Sequence, residues 1–572
     1  MSRTCISLIG LYLILCPLAV RAQDLAAQYG TQSREAAQLL NRGIELVQST
    51  DAAQGLQYID RALSVDPSFQ MAMYWQGLAY QEMGDMGKSL ESYEKLYQSA
   101  APGRTQMPVE GCFNAGVSSG QSGKLSESAI WLSRALTLDP ADEFGTAAKV
   151  YRNLAITLAQ QKQFSSAALC ATAGHQIDPQ TVEEGMVESF SRNAESEVAT
   201  ILFSPTQPIE IPYRESVEHG EPQIVEGIEG PLGGMVDLVE QHAMLILPKD
   251  EKFVQILDYS KGMKLRTIKT QGRPRAACYV GGKLFVALTS PDRISVLNTR
   301  TGKEESTWRL NQPAPTSLAV APQQRVAYFA NSGKIRILDL DDGSIEISPF
   351  EATSLAADPK QENVYAIRTP EIQVNTETGH FLFNGRPVFF QIDDNQSGDM
   401  QTSLFRLKIC DKHLVLAQAR ICAASNGRRV VVSPDGAVVA VVGGGGWRPL
   451  DRSAGSGYGI PVFAANDFSQ VVRFVETDAY PLAATINPVS HLVAARGGEF
   501  VLSHLVNDDQ QLVQLEGGTE DLNQETTFAE FSGDGKWLFA NTSTQLYAIP
   551  TELNRKENST NWYSELQRAI KQ

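Results

Sequence analysis

Histidine and cysteine are scarce in this chain of 572 residues, at seven each. No Cys-x-x-Cys, His-x-His or His-Glu-x-x-His spacing occurs, so neither a zinc site nor dithiol chemistry is written locally. His219, His242, His380, His413, His491 and His504 are spread over separate segments and could converge only through the fold. Cys5 and Cys16 belong to an N-terminal leader. The remaining Cys112, Cys170, Cys278, Cys410 and Cys422 are too scattered for a disulfide framework and are expected as small buried residues. Cys410 and Cys422 are the pair best placed to oxidise if the protein is exported.

Blocks of basic residues are missing as well, and the formal net charge is −16. Such a chain repels phosphate backbones and anionic lipid, which argues against nucleic-acid or peripheral membrane binding. No apolar run approaches the roughly 20 residues that span a bilayer. The longest such feature opens the chain: Arg3, the apolar run Ile6–Leu15 and the small-x-small step Val20-Arg21-Ala22 read as a signal peptide over 1–22. The mature protein would begin near Gln23 in an extracytoplasmic compartment. Leu15 is too bulky before Cys16 for a lipoprotein signal.

Between residues 36 and 180 the sequence repeats, as RALSVDP at Arg61–Pro67, RALTLDP at Arg134–Pro140 and an echo ending at Pro179. Gly43, Gly116 and Ala155 each stand 24 residues before the proline of their unit, and Gly77 stands 25 before Pro102. Paired apolar stripes, such as Leu39, Leu40, Gly43, Leu46, Val47 and then Leu56, Ile59, Ala62, Leu63, make each unit a helical hairpin. The small residue lets two helices approach, and the proline ends the second. Period, small residues and prolines together resemble the tetratricopeptide repeat, in about four units. That resemblance implies an α-solenoid over 31–203 whose first helices line a groove for peptides, with Tyr74, Phe113, Lys149 and Arg152 among its exposed residues. A capping box at Thr181–Glu184 is expected to start a closing helix.

From Glu183 to Gly230 there are eleven glutamates, two arginines and neither aspartate nor lysine. Prolines at 205, 208, 212, 222 and 231 make 204–230 an extended acidic linker. Within it, Ile209–Tyr213 or Gln223–Val225 could lend a strand to the C-terminal half of the chain.

Past the linker the pattern changes to short β-branched runs. FVQILDYSKG at Phe253–Gly262, ISVLNTRTG at Ile294–Gly302, IRILDLDDG at Ile335–Gly343 and IQVNTETG at Ile372–Gly379 each read as a strand entering a tight turn. A second phrase, including TSLAVAP, TSLAADP, RVVVSPDG and FAEFSGDG, opens units starting near 235, 276, 317, 354, 429, 483 and 528. Units of about 40 residues with three or four strands spell a β-propeller over 231–552, of about seven blades. An eighth could hide near Thr402-Ser403-Leu404, and the short last unit would need a strand from elsewhere to close it. Residues 553–572 read as a helical tail. The phrases resemble WD-repeat and YVTN-type propellers, without the Trp-Asp dipeptide. Thr301-Gly302-Lys303 approaches a quinoprotein motif, but Trp308 stands two residues too far on.

Other motifs lack the setting their chemistry needs. Gly116-Val117-Ser118-Ser119-Gly120 spells a nucleophile elbow but falls within a helical repeat. Asp393, Asn395, Ser397 and Gly398 imitate half of a calcium loop whose closing position is Leu404. Asn541 and Asn558 occupy glycosylation sequons. VVAVVGGGGWRP at Val438–Pro449 lacks the subsequent helix that phosphate binding requires, so its glycines open a long inter-strand loop over roughly 443–461. Trp447, Arg448 and Tyr458 in that loop are residue types that anchor interfaces, or they fold back on the propeller. No cofactor motif and no catalytic constellation remain. The expectation is a non-enzymatic adaptor outside the cytoplasm with protein or peptide partners. A propeller enzyme of lactonase or hydrolase type, or a small-molecule or sugar-binding propeller, is the alternative, and acids or histidines converging at the channel would favour it.

Overall fold

The computed structural model describes residues 22–101, 105–191, 193, 217–228, 231–368, 372–374, 381–383, 386–388, 401–425, 427–443, 445–446, 459–477, 481–488, 492–496, 500–504, 510–513, 515, 528–542 and 545–553. The chain divides into two compact units, Met1–Gln161 and Lys162–Gln572.

The first unit is helical. After α1 (Ala22–Tyr29) come the pairs α2 (Arg34–Gln48) and α3 (Ala52–Val65), α4 (Gln70–Glu82) and α5 (Met86–Gln98), and α6 (Gln106–Gln121) and α7 (Leu125–Leu138), then α8 (Ala147–Gln160). Ser33, Asp51 and Asp85 cap α2, α3 and α5 by accepting from the backbone N–H three residues on. The small residues sit at the helix crossings. A Cβ on Gly43 would stand 2.7 Å from Ile59, on Gly77 2.5 Å from the Tyr93 ring and on Gly116 2.6 Å from Leu132. Around them Leu40, Ile59, Ala62 and Phe69 form a core from which water is excluded.

At one crossing the obstruction is backbone as well as a side chain, Val47. A Cβ on Gly55 would lie 2.8 Å from the Gly43 carbonyl oxygen. Gly55→Val is therefore expected to lose about 1–3 kcal/mol, read as a lowered urea midpoint for the helical unit.

The second unit opens with α9 (Phe164–Ile177), so the fourth expected hairpin is divided between the two units. Residues 184–191 are helical, but no capping box starts them: Thr181 Oγ1 donates to Asp178 instead, at 2.5 Å. Two short strands come after it, β1 (Val217–His219) and β2 (Gln223–Ile224). The blades come next in chain order. The first is β3 (Leu232–Leu238), β4 (Ala243–Pro248), β5 (Phe253–Asp258) and β6 (Lys264–Lys269). The second is β7 (Arg273–Val280), β8 (Lys283–Thr289), β9 (Arg293–Leu297) and β10 (Glu304–Arg309). The third is β11 (Leu318–Ala321), β12 (Val326–Asn331), β13 (Lys334–Asp339) and β14 (Ile345–Glu351).

The fourth has β15 (Ser354–Ala357) and β16 (Asn363–Arg368) and is then interrupted by a separate sheet of β17 (Ile372–Val374), β18 (Phe381–Phe383) and β19 (Arg386–Val388). It resumes with β20 (Gln401–Cys410) and β21 (His413–Ser425). Then come β22 (Arg429–Val432), β23 (Val438–Val442), the two-residue β24 (Gly445–Gly446), β25 (Gly459–Ala464) and β26 (Asp467–Glu476). The chain continues with β27 (Ala483–Ile486), β28 (Leu492–Arg496), β29 (Phe500–His504) and β30 (Gln510–Val513), and ends with β31 (Ala529–Phe531), β32 (Trp537–Asn541) and β33 (Leu546–Leu553).

Six blades are thus built from one stretch of chain each, where about seven units were expected. The unit starting near 528 supplies three strands only. Its open edge, β33, pairs with β1 (Val217 opposite Leu553) and with β2 (Gln223 opposite Ala548). Ile209–Tyr213 lies outside the described residues. No eighth blade arises at Thr402–Leu404, because those residues belong to β20, the third strand of the fourth blade. The phrase IQVNTETG is corrected too: its strand Ile372–Val374 lies in the inserted sheet and not in a blade.

The turn phrases have local causes. Asn298 accepts from the N–H groups of Arg300 and Thr301 at 3.1 and 2.9 Å, and Gly302 closes the turn at φ +73°. In SPDG, Ser433 Oγ donates to Asp435 at 2.6 Å and accepts from Ala437 and Val438 N–H, both at 3.0 Å. Ser532 and Asp534 repeat that contact in SGDG. Apolar clusters fill the space between successive blades, such as Leu284, Val286 and Leu288 against Leu245 and Ile256. Near the channel the blades are stitched by hydroxyls: Ser317 Oγ with the Leu355 backbone at 2.9 Å, Ser354 with Val430 N–H at 3.4 Å and Thr485 with Phe531 N–H at 3.4 Å.

Cys112 and Cys170 are buried free thiols, and Cys410 is also free; the Cys422 side chain lies outside the described residues. Asn541 is buried, and its amide oxygen accepts from Phe528 N–H at 2.7 Å while its nitrogen donates to the Thr542 carbonyl at 2.8 Å. A glycan on the buried Nδ2 has no room, so this sequon is structural. Residues 1–21 of the leader, Asn558 and residues 554–572 lie outside the described residues, as do Asp393, Asn395, Ser397 and Gly398; Leu404 is a core residue of β20. Among the described residues no helix is long and apolar enough to cross a membrane.

Candidate functional site

In the first unit the leading helices α4, α6 and α8 pack side by side, which brings Tyr74, Phe113, Lys149 and Arg152 onto neighbouring elements. They do not share one environment. Tyr74 is 5% exposed, correcting the expectation that it faces solvent. Asn114 Nδ2 donates to its hydroxyl at 3.0 Å, and its ring tilts against Tyr93 with centroids 6.4 Å apart. Burial, with Glu110 nearby, raises its pKa beyond the usual phenol range. It forms a floor beneath the surface residues. Phe113 is half-buried, while Lys149 and Arg152 are exposed.

Glu110, one turn before Asn114 on α6, completes this patch and was not singled out in the sequence. Enclosure raises its carboxyl above the ordinary range, and the Lys149 ammonium opposes that rise. Its only sequence signal was helical spacing from Phe113 and Asn114. Gly116 and Gly120 lie in α6 against Leu132 and Ser128, and the hydroxyls of Ser118 and Ser119 are buried, so no elbow forms.

In the second unit the glycine loop begins as expected and then does something else. Val438–Val442 is the second strand of its blade, fully buried. Gly445 and Gly446 then cross to the neighbouring blade and pair with Ser425 and Ala424 on the outer edge of β21. The same edge is covered by α9, where Ser166 Oγ donates to the Ala419 carbonyl at 3.0 Å and accepts from its N–H at 3.3 Å. Both contacts protect an outer strand that would otherwise offer free backbone groups. Trp447, Arg448 and Tyr458 lie outside the described residues.

The channel holds a cluster that the sequence did not disclose. Asp237 near the end of β3, Glu530 in β31 and Arg429 opening β22 come from three innermost strands. Tyr259 Oη donates to Asp237 Oδ1 at 3.0 Å. Burial pushes Asp237 up to about 7, against the Tyr259 and Gly533 hydrogen bonds, and Asp534 adds to the rise. Glu530 keeps a sliver of solvent contact yet is surrounded by protein; that enclosure and then Asp237 push it up to about 8, opposed by Arg429. Arg429 is drawn down to about 10 by burial and then by Arg428, and its guanidinium stacks 4.0 Å from the Phe528 ring centroid. The two acids thus stand on inner strands that pack against each other, β3 and β31, with an aromatic-backed cation acting on Glu530. Among the described residues no group of three acids, histidines or cysteines could hold a metal ion.

A tetratricopeptide repeat family model matches residues 72–101, the second helical pair. No curated protein matches the chain. Among solved structures, hydrazine synthase of Kuenenia stuttgartiensis aligns at 15% identity and a TM-score of 0.38, over 60% of this chain and 99% of that one. A chain of a mitotic checkpoint complex aligns at 12% identity and a TM-score of 0.40, over 59% of this chain and 93% of that one. The chain is thus a helical unit carrying a tetratricopeptide repeat, followed by an all-β propeller.

Proposed function

We propose that this protein is a non-enzymatic adaptor working outside the cytoplasm, which holds a peptide segment of its partner against α6 and α8. The observation that carries this reading is the patch of Phe113, Lys149 and Arg152 over the Tyr74–Asn114 floor: a half-buried ring beside two exposed cations on adjacent helices. Such a surface favours a segment with acidic side chains and an apolar anchor. The glycine loop, with Trp447, Arg448 and Tyr458, is the proposed contact for a second partner.

The test is affinity retention of proteins from an envelope extract by the full chain and by a Lys149→Glu/Arg152→Glu variant. Loss of at least tenfold of a retained protein, at unchanged circular dichroism, is expected. Equal retention by both would sink the groove assignment. Fractionation of cells producing the full chain tests the compartment, with recovery in the cytosol as the contrary result. One observation favours the second reading, a propeller enzyme or small-molecule or sugar binder: two enclosed acids, Asp237 and Glu530, stand on the packed inner strands β3 and β31, and the Asp237 charge acts on Glu530. A ligand screen by thermal shift, in which a ligand at 100 times its Kd adds about 2.7 kcal/mol, separates the two readings.

A further inference from the structure

The ring of blades is closed at one place, where the last blade meets the first. β33 is joined there by β1 and β2, and β31 packs against β3. The apolar seal of that seam is Met244, Leu257 and Tyr259 on one side and Phe539, Leu546 and Ala548 on the other, with Val225 and Ile228. Toward the channel the seal gives way to carboxyls. Asp237 belongs to the first blade and Glu530 to the last, and neither forms an ion pair with a described residue. At other inner-strand junctions a neutral hydroxyl spans the gap, as with Ser317, Ser354 and Thr485. The closing junction alone among these carries two acids.

We propose that this seam is a pH-operated closure: protonated Asp237 and Glu530 let the first and last blades pack tightly, and their joint ionisation drives the blades apart. Two carboxylates from opposing blades repel in an enclosed, poorly hydrated space, whereas their acid forms do not. The groups around them cannot cancel that repulsion. Glu240, just beyond β3, and Asp534, in the turn after β31, add negative charge, while Tyr259 and Tyr279 are neutral and burial keeps them so. His242 stacks edge-on to Tyr259 with centroids 6.4 Å apart and makes no hydrogen bond to either acid. Arg429 of β22 attracts Glu530, while Arg428, the residue before it, is a like charge acting on Arg429 itself.

Proton counting gives the direction. Both carboxyls titrate higher when folded than their ordinary value of about 4, so the folded chain binds more protons in between. Stability is full below about pH 4, falls as pH rises, and levels off once pH passes the folded values of about 7 and 8.

The experiment is thermal unfolding of the full chain from pH 5 to 9, with hydrogen exchange of the β1–β33 amides corrected for intrinsic rate. The expected result is a midpoint that falls to pH 8 and then flattens, with at least tenfold faster exchange at Val217–His219 and Thr551–Leu553 at pH 8.5 than at pH 5.5. Glu530→Gln and Asp237→Asn should each flatten the fall, and the double variant should abolish it. A flat wild-type profile overturns the proposal even if the variants fail to fold. So does an undiminished slope in a folded double variant, or exchange that accelerates elsewhere while the seam stays protected.

Discussion

Deleting residues 217–228 is expected to cost the second unit about 5 kcal/mol or more and to promote aggregation. Val225 and Ile228 supply the first part of that loss, since each is only 5% exposed. Burying such side chains contributes about 1.5–3 kcal/mol apiece. Backbone pairing adds to this: His219 with Thr551 and Ile224 with Tyr547, plus Gly220 N–H to the Pro550 carbonyl and Val225 N–H to the Leu546 carbonyl, both at 2.9 Å. Each such bond contributes about 0.5–1.5 kcal/mol net. The deletion also uncovers the long edge of β33, a template for pairing with another copy. Urea unfolding should show the propeller transition displaced while the helical transition stays in place, and light scattering should rise. A Glu221→Ala control, at an exposed bend between the two strands, should stay within about 0.5 kcal/mol of wild type. An unmoved propeller transition in the deletion would show that the ring does not depend on this closure.

The parts of this architecture that were legible in the sequence are those fixed by near neighbours. Gly43, Gly77 and Gly116 announced helix crossings because a side chain there meets Ile59, Tyr93 or Leu132 within the same hairpin. SPDG and SGDG announced turns because Ser433 and Ser532 bond an aspartate two residues on. The same local chemistry misled at IQVNTETG. A strand-and-turn phrase says nothing of which sheet the strand joins, and Ile372–Val374 joined an inserted one. Tyr74 was misplaced for a related reason: the tetratricopeptide resemblance put it among the exposed groove residues, but only the approach of Asn114 and Tyr93 decides that it is floor and not surface. The acid pair was not legible at all. Asp237 and Glu530 come from opposite ends of the propeller sequence, and ring closure alone brings them together. The glycine run stands between these cases, since its strand was readable but its crossing to β21 was not.

Tyr93→Ala is expected to lose about 3–5 kcal/mol from the helical unit, the usual range for an aromatic removed from a core. Tyr93 is fully buried on α5. Its ring fills the space left by Gly77, where a Cβ would come within 2.5 Å, and it lies 3.3 Å from where a Cβ on Gly111 would be. One side chain therefore joins the second hairpin to itself and to α6 of the third. In a stack stabilised between neighbours, a cavity at that position lowers an interface as well as a repeat, so the two sides should partly uncouple. The slope of the urea transition should then drop along with its midpoint. Tyr93→Phe keeps the ring and removes a hydroxyl that donates to Gln81 Oε1 at 3.5 Å and is near Asn114 and Ser89, so its cost should stay at about 0.5–1.5 kcal/mol, well below that of the Ala variant. A Phe variant as damaged as the Ala variant would mean that the hydroxyl, and not the ring, holds the hairpins together.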